Sequence, residues 1–317
     1  MKTLLLTLTT LFAANGFAAN NTIVRGTDRF ELVYQLTVPE LSASGRLWIP
    51  LAKPDAHQKF EVLTIQSPVA WHRTQDAAGR NDILVLEPGP ADQGERITLR
   101  YQVTRMEKRA HREAGDPKVH LRAERLVPLN ARFITIARAA TAKMKANDDH
   151  ARAQALYQHV LDHMRYSKAG KGWGRGDALY ACDARTGNCT DFHAYFIALC
   201  RAINIPARFA IGFTIPADKN AGAIGGYHCW AEFHANGKWV PVDISEADKH
   251  PELADYYFGH HPANRLELSR GRDITITPAP KAGPFNYFFG PHLEVNGKEV
   301  PVKATFEFKR LPAHSKQ

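Results

Sequence analysis

The chain has 317 residues, 44% hydrophobic and 23% charged, a globular balance that excludes a disordered or low-complexity polymer. Lys and Arg number 41 against 32 Asp and Glu, and the resulting charge of +9 bears on partners rather than on fold. Four cysteines are too few for a disulfide scaffold, and the length suits about two domains at roughly 150 residues each.

Met1-Lys2-Thr3 is a short basic start, Leu4 to Phe12 an apolar run, and Gly16-Phe17-Ala18-Ala19 a small-residue close. This layout predicts a signal peptide over residues 1–18, cut after Ala18, because the run is too short to cross a bilayer. The expected location is periplasmic or secreted, with no transmembrane segment in the mature chain. Residues 19–125 read as an N-terminal β domain. Phe30, Leu32, Tyr34, Leu36 and Val38 alternate with neighbours of the other face, as do Ile97, Leu99, Tyr101 and Val103. Period two marks half-buried strands, and the Gly and Pro punctuation predicts a small antiparallel β-sandwich.

Arg105, Lys108, Arg109, Arg112, Arg122 and Arg125 crowd residues 105–125. A solvated linker is expected there rather than an anion-binding patch. No nucleic-acid motif accompanies the charge, so no nucleic-acid partner is expected. Helical texture begins near Asn130, and a second helix follows Asp148-Asp149, with Ala153, Leu156, Tyr157, Val160, Leu161 and Met164 on one face. Gly170 to Gly187 reads as irregular. A third helix opens at Cys189, with Phe192, Tyr195, Phe196, Leu199, Cys200 and Ile203 as its buried stripe, and ends at Asn204 and Pro206. Arg208–Phe213 reads as a strand. The glycine-bearing loop Thr214–Tyr227 is expected to border the cleft and to gate it, or else to be a plain connection.

Cys189 at a helix start feels free N–H groups and the positive end of the dipole, which favours a thiolate. Asn236-Gly237 between apolar runs is a strong hairpin signal. With those two as turn residues, Ala235 faces Lys238 and Trp230 faces Asp243. His228 shares the Trp230 face, so His228 and Asp243 become diagonal neighbours about 7–8 Å apart. A thiol, an imidazole and a carboxylate in this relation suit nucleophilic acyl transfer, with the Cys189 N–H available to an oxyanion. A metal site is not expected, since no zinc spacing occurs and His228 and Cys229 point to opposite strand faces. In an oxidising compartment Cys182 and Cys229 are either two separate thiols or a disulfide. The bridge requires Cα atoms about 4.4–6.8 Å apart.

Gly187-Asn188-Cys189-Thr190-Asp191-Phe192, Arg201 to Arg208, Tyr227-His228-Cys229-Trp230 and Trp239 to Asp243 resemble the transglutaminase-like superfamily. The resemblance implies an α+β protein with a papain-like transglutaminase core at 126–262, after the β-sandwich domain. It implies Cys189 as nucleophile, His228 as base and Asp243 as its partner. Residues 263–317, with Gly271-Arg272-Asp273-Ile274, resemble the short β-rich C-terminal extension of bacterial members. The function expected is cysteine-dependent acyl transfer on amide bonds of a protein or peptide, cell-wall peptide included. A peptidase or amidase is favoured over a cross-linker, because water needs no second binding site. The alternative is a non-catalytic protein- or cell-wall-binding module on the same scaffold, against which the intact triad argues. No cofactor is expected, and the sequence sets no oligomeric state.

Overall fold

Alternation builds the first layer. Along Thr27–Thr37 every second side chain is buried, with Phe30, Leu32, Tyr34 and Leu36 as the inward row. Their antiparallel partners on Arg96–Met106 are Val103, Tyr101, Leu99 and Ile97, so the two apolar rows read from the sequence face each other across one ladder. In the computed structural model, which describes residues 23–312, this pair is the centre of a five-stranded sheet. The signal peptide expected at 1–18 lies outside the described residues. From edge to edge the sheet runs Ala221–Ala223, Ala304–Arg310, Thr27–Thr37, Arg96–Met106 and Gln58–Gln66. A second sheet runs Lys298–Val300, His292–Val295, Gly45–Leu51, Asp82–Leu86 and Trp71–Gln75. Leu47, Ile49, Leu84, Leu86 and Leu293 of the second sheet share one core with the inward row of the first, which makes the pair a sandwich. Each such side chain contributes about 1.5–3 kcal/mol on burial. Three of the ten strands come from beyond residue 290, so the chain's end completes the sandwich.

The second unit is a helix cluster against an antiparallel sheet of order Lys238–Val242, His228–Ala235, Ala207–Thr214 and Arg265–Arg270. Asn130 caps the helix Ala131–Ala140 by accepting the Arg132 N–H at 2.8 Å. Asp148 caps Asp149–His163 through the Ala151 N–H at 3.0 Å. The helix Cys189–Ala202 is buried from Cys189 to Arg201 and is the axis of this core. It stops where Asn204 turns left-handed at φ 64°. Helices and antiparallel sheets thus share one α+β chain.

Two expectations change. The charged stretch after residue 104 is solvated only in part: Arg109, Arg112, Arg122 and Arg125 are exposed as expected, but its first two basic residues are not. Arg105 and Lys108 are fully buried, and Lys108 Nζ lies 3.2 Å from Glu232 and 3.5 Å from Glu267 of the second unit's sheet. The segment passes between the two units, where carboxylates on that sheet compensate charges that would otherwise stay in water. The loop before His228 is not wholly free to gate either. Ala221–Ala223 pairs with Ala304–Arg310, and the Ile224 N–H donates to the Phe306 carbonyl at 2.8 Å, tying the middle of the loop to the sandwich.

Candidate active site

The phrase Gly187 to Phe192 assembles a helix start atom by atom. Asn188 is the N-cap: its Oδ1 accepts from the Thr190 N–H at 3.0 Å and from the Thr190 hydroxyl at 2.6 Å. Asp191 completes the capping box by accepting the Asn188 N–H at 3.0 Å. The same carboxylate accepts the N–H groups of Gly174 at 2.7 Å and Gly176 at 2.9 Å, so it also pins the glycine-rich loop. Gly187 makes room for it, since a Cβ there would lie 2.5 Å from the Asp191 side chain. Cys189 is then the first helical residue, where backbone N–H groups have no intrahelical acceptor. Asn188 Nδ2 donates to the Tyr227 hydroxyl at 2.8 Å, which ties this helix start to the residue preceding His228.

The hairpin has the register read from the sequence. Ala235 faces Lys238 and Ala231 faces Val242, with Asn236 and Gly237 at φ 52° and 70° in the turn. Carried one step further, that register sets Trp230 against Asp243, and the diagonal contact forms. His228 Nε2 donates to Asp243 Oδ2 at 2.6 Å, which leaves Nδ1 for the Cys189 thiol, a hydrogen-bond partner of His228. Cys189, His228 and Asp243 are therefore brought together, and all three are buried.

Asp243 has two further supports. It caps the helix Ile244–Lys249 by accepting the Glu246 N–H at 3.1 Å, and Oδ1 also accepts from the Ser245 hydroxyl. Arg265 Nη2 donates to Oδ2 at 2.6 Å, so a buried guanidinium balances the buried carboxylate. Burial opposes ionisation of Asp243, yet the charges of His228 and Arg265 hold it well below the usual carboxylate range. Burial likewise disfavours imidazolium at His228, but the Asp243 charge and hydrogen bond, with Cys189, raise it from 6.5 to about 9. Burial alone would push the Cys189 thiol up. Hydrogen bonds from Cys229 and His228, then the His228 charge, bring it well below the usual thiol range. The three directions agree on a thiolate–imidazolium pair backed by a carboxylate.

Sequence reasoning did not single out His193. Its Nε2 accepts the Ile244 N–H at 3.1 Å, so the neutral ring carries its proton on Nδ1, which donates to the Cys189 carbonyl at 2.7 Å. Burial keeps this ring neutral by lowering its pKa. Its place one helical turn after Cys189 was a usable signal. Arg265 offered none, lying 22 residues beyond Asp243 on another strand. Cys229 faces the helical core, with Sγ 3.6 Å from His193 Nδ1, and it too hydrogen-bonds Cys189. All four cysteines are free. Cys182 sits against Tyr195 and is not joined to Cys229.

Among the described residues no group of three or more His, Cys, Asp or Glu side chains is arranged to hold a metal ion. A cavity of about 260 Å³ opens away from this cluster, among Arg80, Glu113, His120, Arg208 and Arg270. Its walls are largely self-paired: Arg208 bonds both Glu113 oxygens, and Arg270 pairs with Asp55.

Over part of the chain the similarity is to transglutaminase-like domains. Residues 135–244 match the model of the transglutaminase-like superfamily, a span that ends just past Asp243 and contains Cys189 and His228. An uncharacterized Haemophilus influenzae protein is 30% identical over 191 residues, covering 50% of this chain and 52% of the relative. The chain thus spans about half the length of that curated relative. A solved candidate cysteine protease from Cytophaga hutchinsonii has the same fold at TM-score 0.64, with 16% identity over 92% of this chain and 93% of that one. The periplasmic domain of TgpA from Pseudomonas aeruginosa overlaps at TM-score 0.38, with 18% identity over 72% of this chain and 93% of that domain.

Proposed function

We propose that this protein is a cysteine-dependent acyl-transfer enzyme acting on amide bonds of a protein or peptide, with Cys189 as nucleophile, His228 as acid–base and Asp243 as the group that orients the ring. The observation that carries this reading is the 2.6 Å contact between His228 Nε2 and Asp243, which turns Nδ1 toward Cys189. The thiolate attacks the amide carbonyl carbon, and the negative charge gathers on oxygen near the helix N–H groups. Imidazolium Nδ1 gives its proton to the departing amine, the C–N bond breaks and a thioester remains. Neutral His228 then takes a proton from the second nucleophile as that nucleophile attacks the thioester, and the Cys189 thiolate leaves.

Water as second nucleophile makes a peptidase or amidase, and an amine makes a cross-linker. Hydrolysis is favoured because it requires only the acyl-donor site. The signal-peptide layout of residues 1–18 supports export to the periplasm or beyond the cell. The 2% exposure of Cys189 is the one feature that favours the alternative, an idle binding module for protein or cell-wall peptide. The test incubates unfolded protein substrates and cell-wall peptides with a fluorescent primary amine. Wild type is compared with Cys189→Ala, and products are mapped by mass spectrometry. New peptide termini or deamidated side chains that vanish in the variant establish hydrolysis. Amine incorporation establishes transfer. Identical product maps for both proteins, across substrates that bind, leave the binding module.

A further inference from the structure

The proposed chemistry has no use for Cys229, although its thiol hydrogen-bonds the proposed nucleophile from a fully buried position. We propose that Cys229 is a resolving thiol, a modification site that captures Cys189 as a disulfide after a hydroperoxide has oxidised it. This inference rests on the reading of Cys189 as a thiolate nucleophile.

Geometry sets the two cysteines on either side of one histidine. His193 Nδ1 lies 2.7 Å from the Cys189 carbonyl oxygen and 3.6 Å from Cys229 Sγ, so a single ring atom braces both cysteines. Cys189 leads the helix and Cys229 is the second residue of the strand His228–Ala235, and both elements belong to one packed core. A disulfide needs the sulfurs to close from hydrogen-bond contact to about 2.05 Å, which rotation about the side-chain bonds can supply. Cys182 and Cys200 are placed differently: one lies against Tyr195, and the other is enclosed in the core, where burial raises its pKa.

The steps balance. The Cys189 thiolate attacks one oxygen of hydrogen peroxide. The O–O bond breaks, an S–OH bond forms and hydroxide leaves to become water. The Cys229 sulfur then displaces hydroxide from the sulfenic acid. The S–O bond breaks, the S–S bond forms, and the thiol proton leaves with hydroxide as a second water. Two thiols have lost two electrons to the peroxide.

Charge sets the order of events. Burial, then the hydrogen bond and charge of Cys189, keep Cys229 protonated well above the usual thiol range. Cys229 is therefore no competitor while Cys189 is a thiolate. Oxidation to the neutral sulfenic acid removes that charge, and Cys229 becomes easier to ionise at the moment it is needed. Without a resolving thiol, further peroxide drives a sulfenic acid to sulfinic and sulfonic acids, which thiols do not reverse.

The test uses the reduced mature protein, one equivalent of hydrogen peroxide, alkylation with N-ethylmaleimide and non-reducing peptide mapping. The expected product is a Cys189–Cys229 crosslink. Iodoacetamide labelling of Cys189 is expected to fall to background after peroxide and to return with dithiothreitol. In Cys229→Ala or Cys229→Ser, Cys189 is expected to accumulate sulfinic acid, and its labelling is not expected to return. Rapid labelling before peroxide, followed by no crosslink or by a crosslink to Cys182 or Cys200, overturns this inference alone. Slow labelling of Cys189 in the untreated wild type overturns the nucleophile reading and this inference with it. The wild-type map decides the matter even if neither variant folds.

Discussion

Replacing Asp243 by Asn separates two jobs that one carboxylate performs. Asn retains an oxygen to cap Ile244–Lys249 and so to accept the Glu246 N–H. It cannot supply the charge that keeps His228 protonated. The rise of His228 from 6.5 to about 9 corresponds to about 3 kcal/mol of preference for imidazolium, at roughly 1.36 kcal/mol per pH unit. With the Asp243 charge gone, burial becomes the dominant influence and drives His228 below 6.5, and the Cys189 thiol loses its cationic partner. Loss of that 3 kcal/mol shifts the equilibrium constant between the ion pair and the neutral thiol–imidazole pair on the order of 100-fold. The assay requires no knowledge of the substrate. Iodoacetamide labelling of Cys189 is followed from pH 5 to 9 in wild type and Asp243→Asn, alongside thermal melting. The expected outcome is slower labelling at pH 7 and an apparent thiol pKa moved up toward the free value of about 8.5. A lower melting temperature with an unchanged labelling rate and midpoint would refute the argument. Asp243 would then be only a helix cap and a counter-ion for Arg265.

Three further outcomes follow from the same geometry. Because His228 is raised, its protonated form contributes stability that is complete below 6.5 and is lost as pH rises through about 9. Turnover on any accepted amide should therefore fall on the alkaline side near that value, and chemical denaturation at pH 8 and pH 10 should show the matching loss. Gly187→Ala sets a methyl group against the Asp191 side chain, and overpacking of this kind costs about 1–3 kcal/mol. Urea denaturation should show that cost, together with slower Cys189 labelling as the capping box shifts. Arg265→Ala leaves the Asp243 carboxylate without its buried guanidinium, and breaking such a pair costs about 3–5 kcal/mol. An unfolding free energy from urea denaturation lowered by less than one tenth of that would show that water already compensates the carboxylate.

The parts legible in the sequence were those whose determinants lie within a few residues of one another. The sandwich rows Phe30–Leu36 and Ile97–Val103 were visible because side-chain direction alternates along a strand, and burial on one face leaves that alternation in the residues. The hairpin register was visible because Asn236 and Gly237 accept the positive φ angles of a tight turn, and the turn then fixes every pairing behind it. The helix start at Cys189 was visible from the apolar stripe Phe192 to Ile203 that follows it, and its cap and capping box fall within four residues. The helix Ala178–Ala184 was hidden inside a glycine-rich stretch, because seven residues are too few to display a period.

Electrostatic partners were illegible for a different reason. Arg105 and Lys108 look like solvated charges when read beside their neighbours in sequence. Their burial is decided by carboxylates on strands more than 100 residues away, such as Glu232 and Glu267. Arg265 belongs to the same class, and it bears on function more directly. A buried carboxylate facing only His228 would gain from taking up a proton itself, which would leave the imidazole neutral and the thiol protonated. Arg265, at 2.6 Å, adds to the charge of His228 in holding the carboxylate ionised, which favours the proton on His228. The local phrases around Cys189 and His228 thus establish which atoms meet, whereas a residue from the strand Arg265–Arg270 helps to set the charge they carry. That division explains how a motif can be readable in one short stretch while the ionisation of its side chains depends on the completed fold.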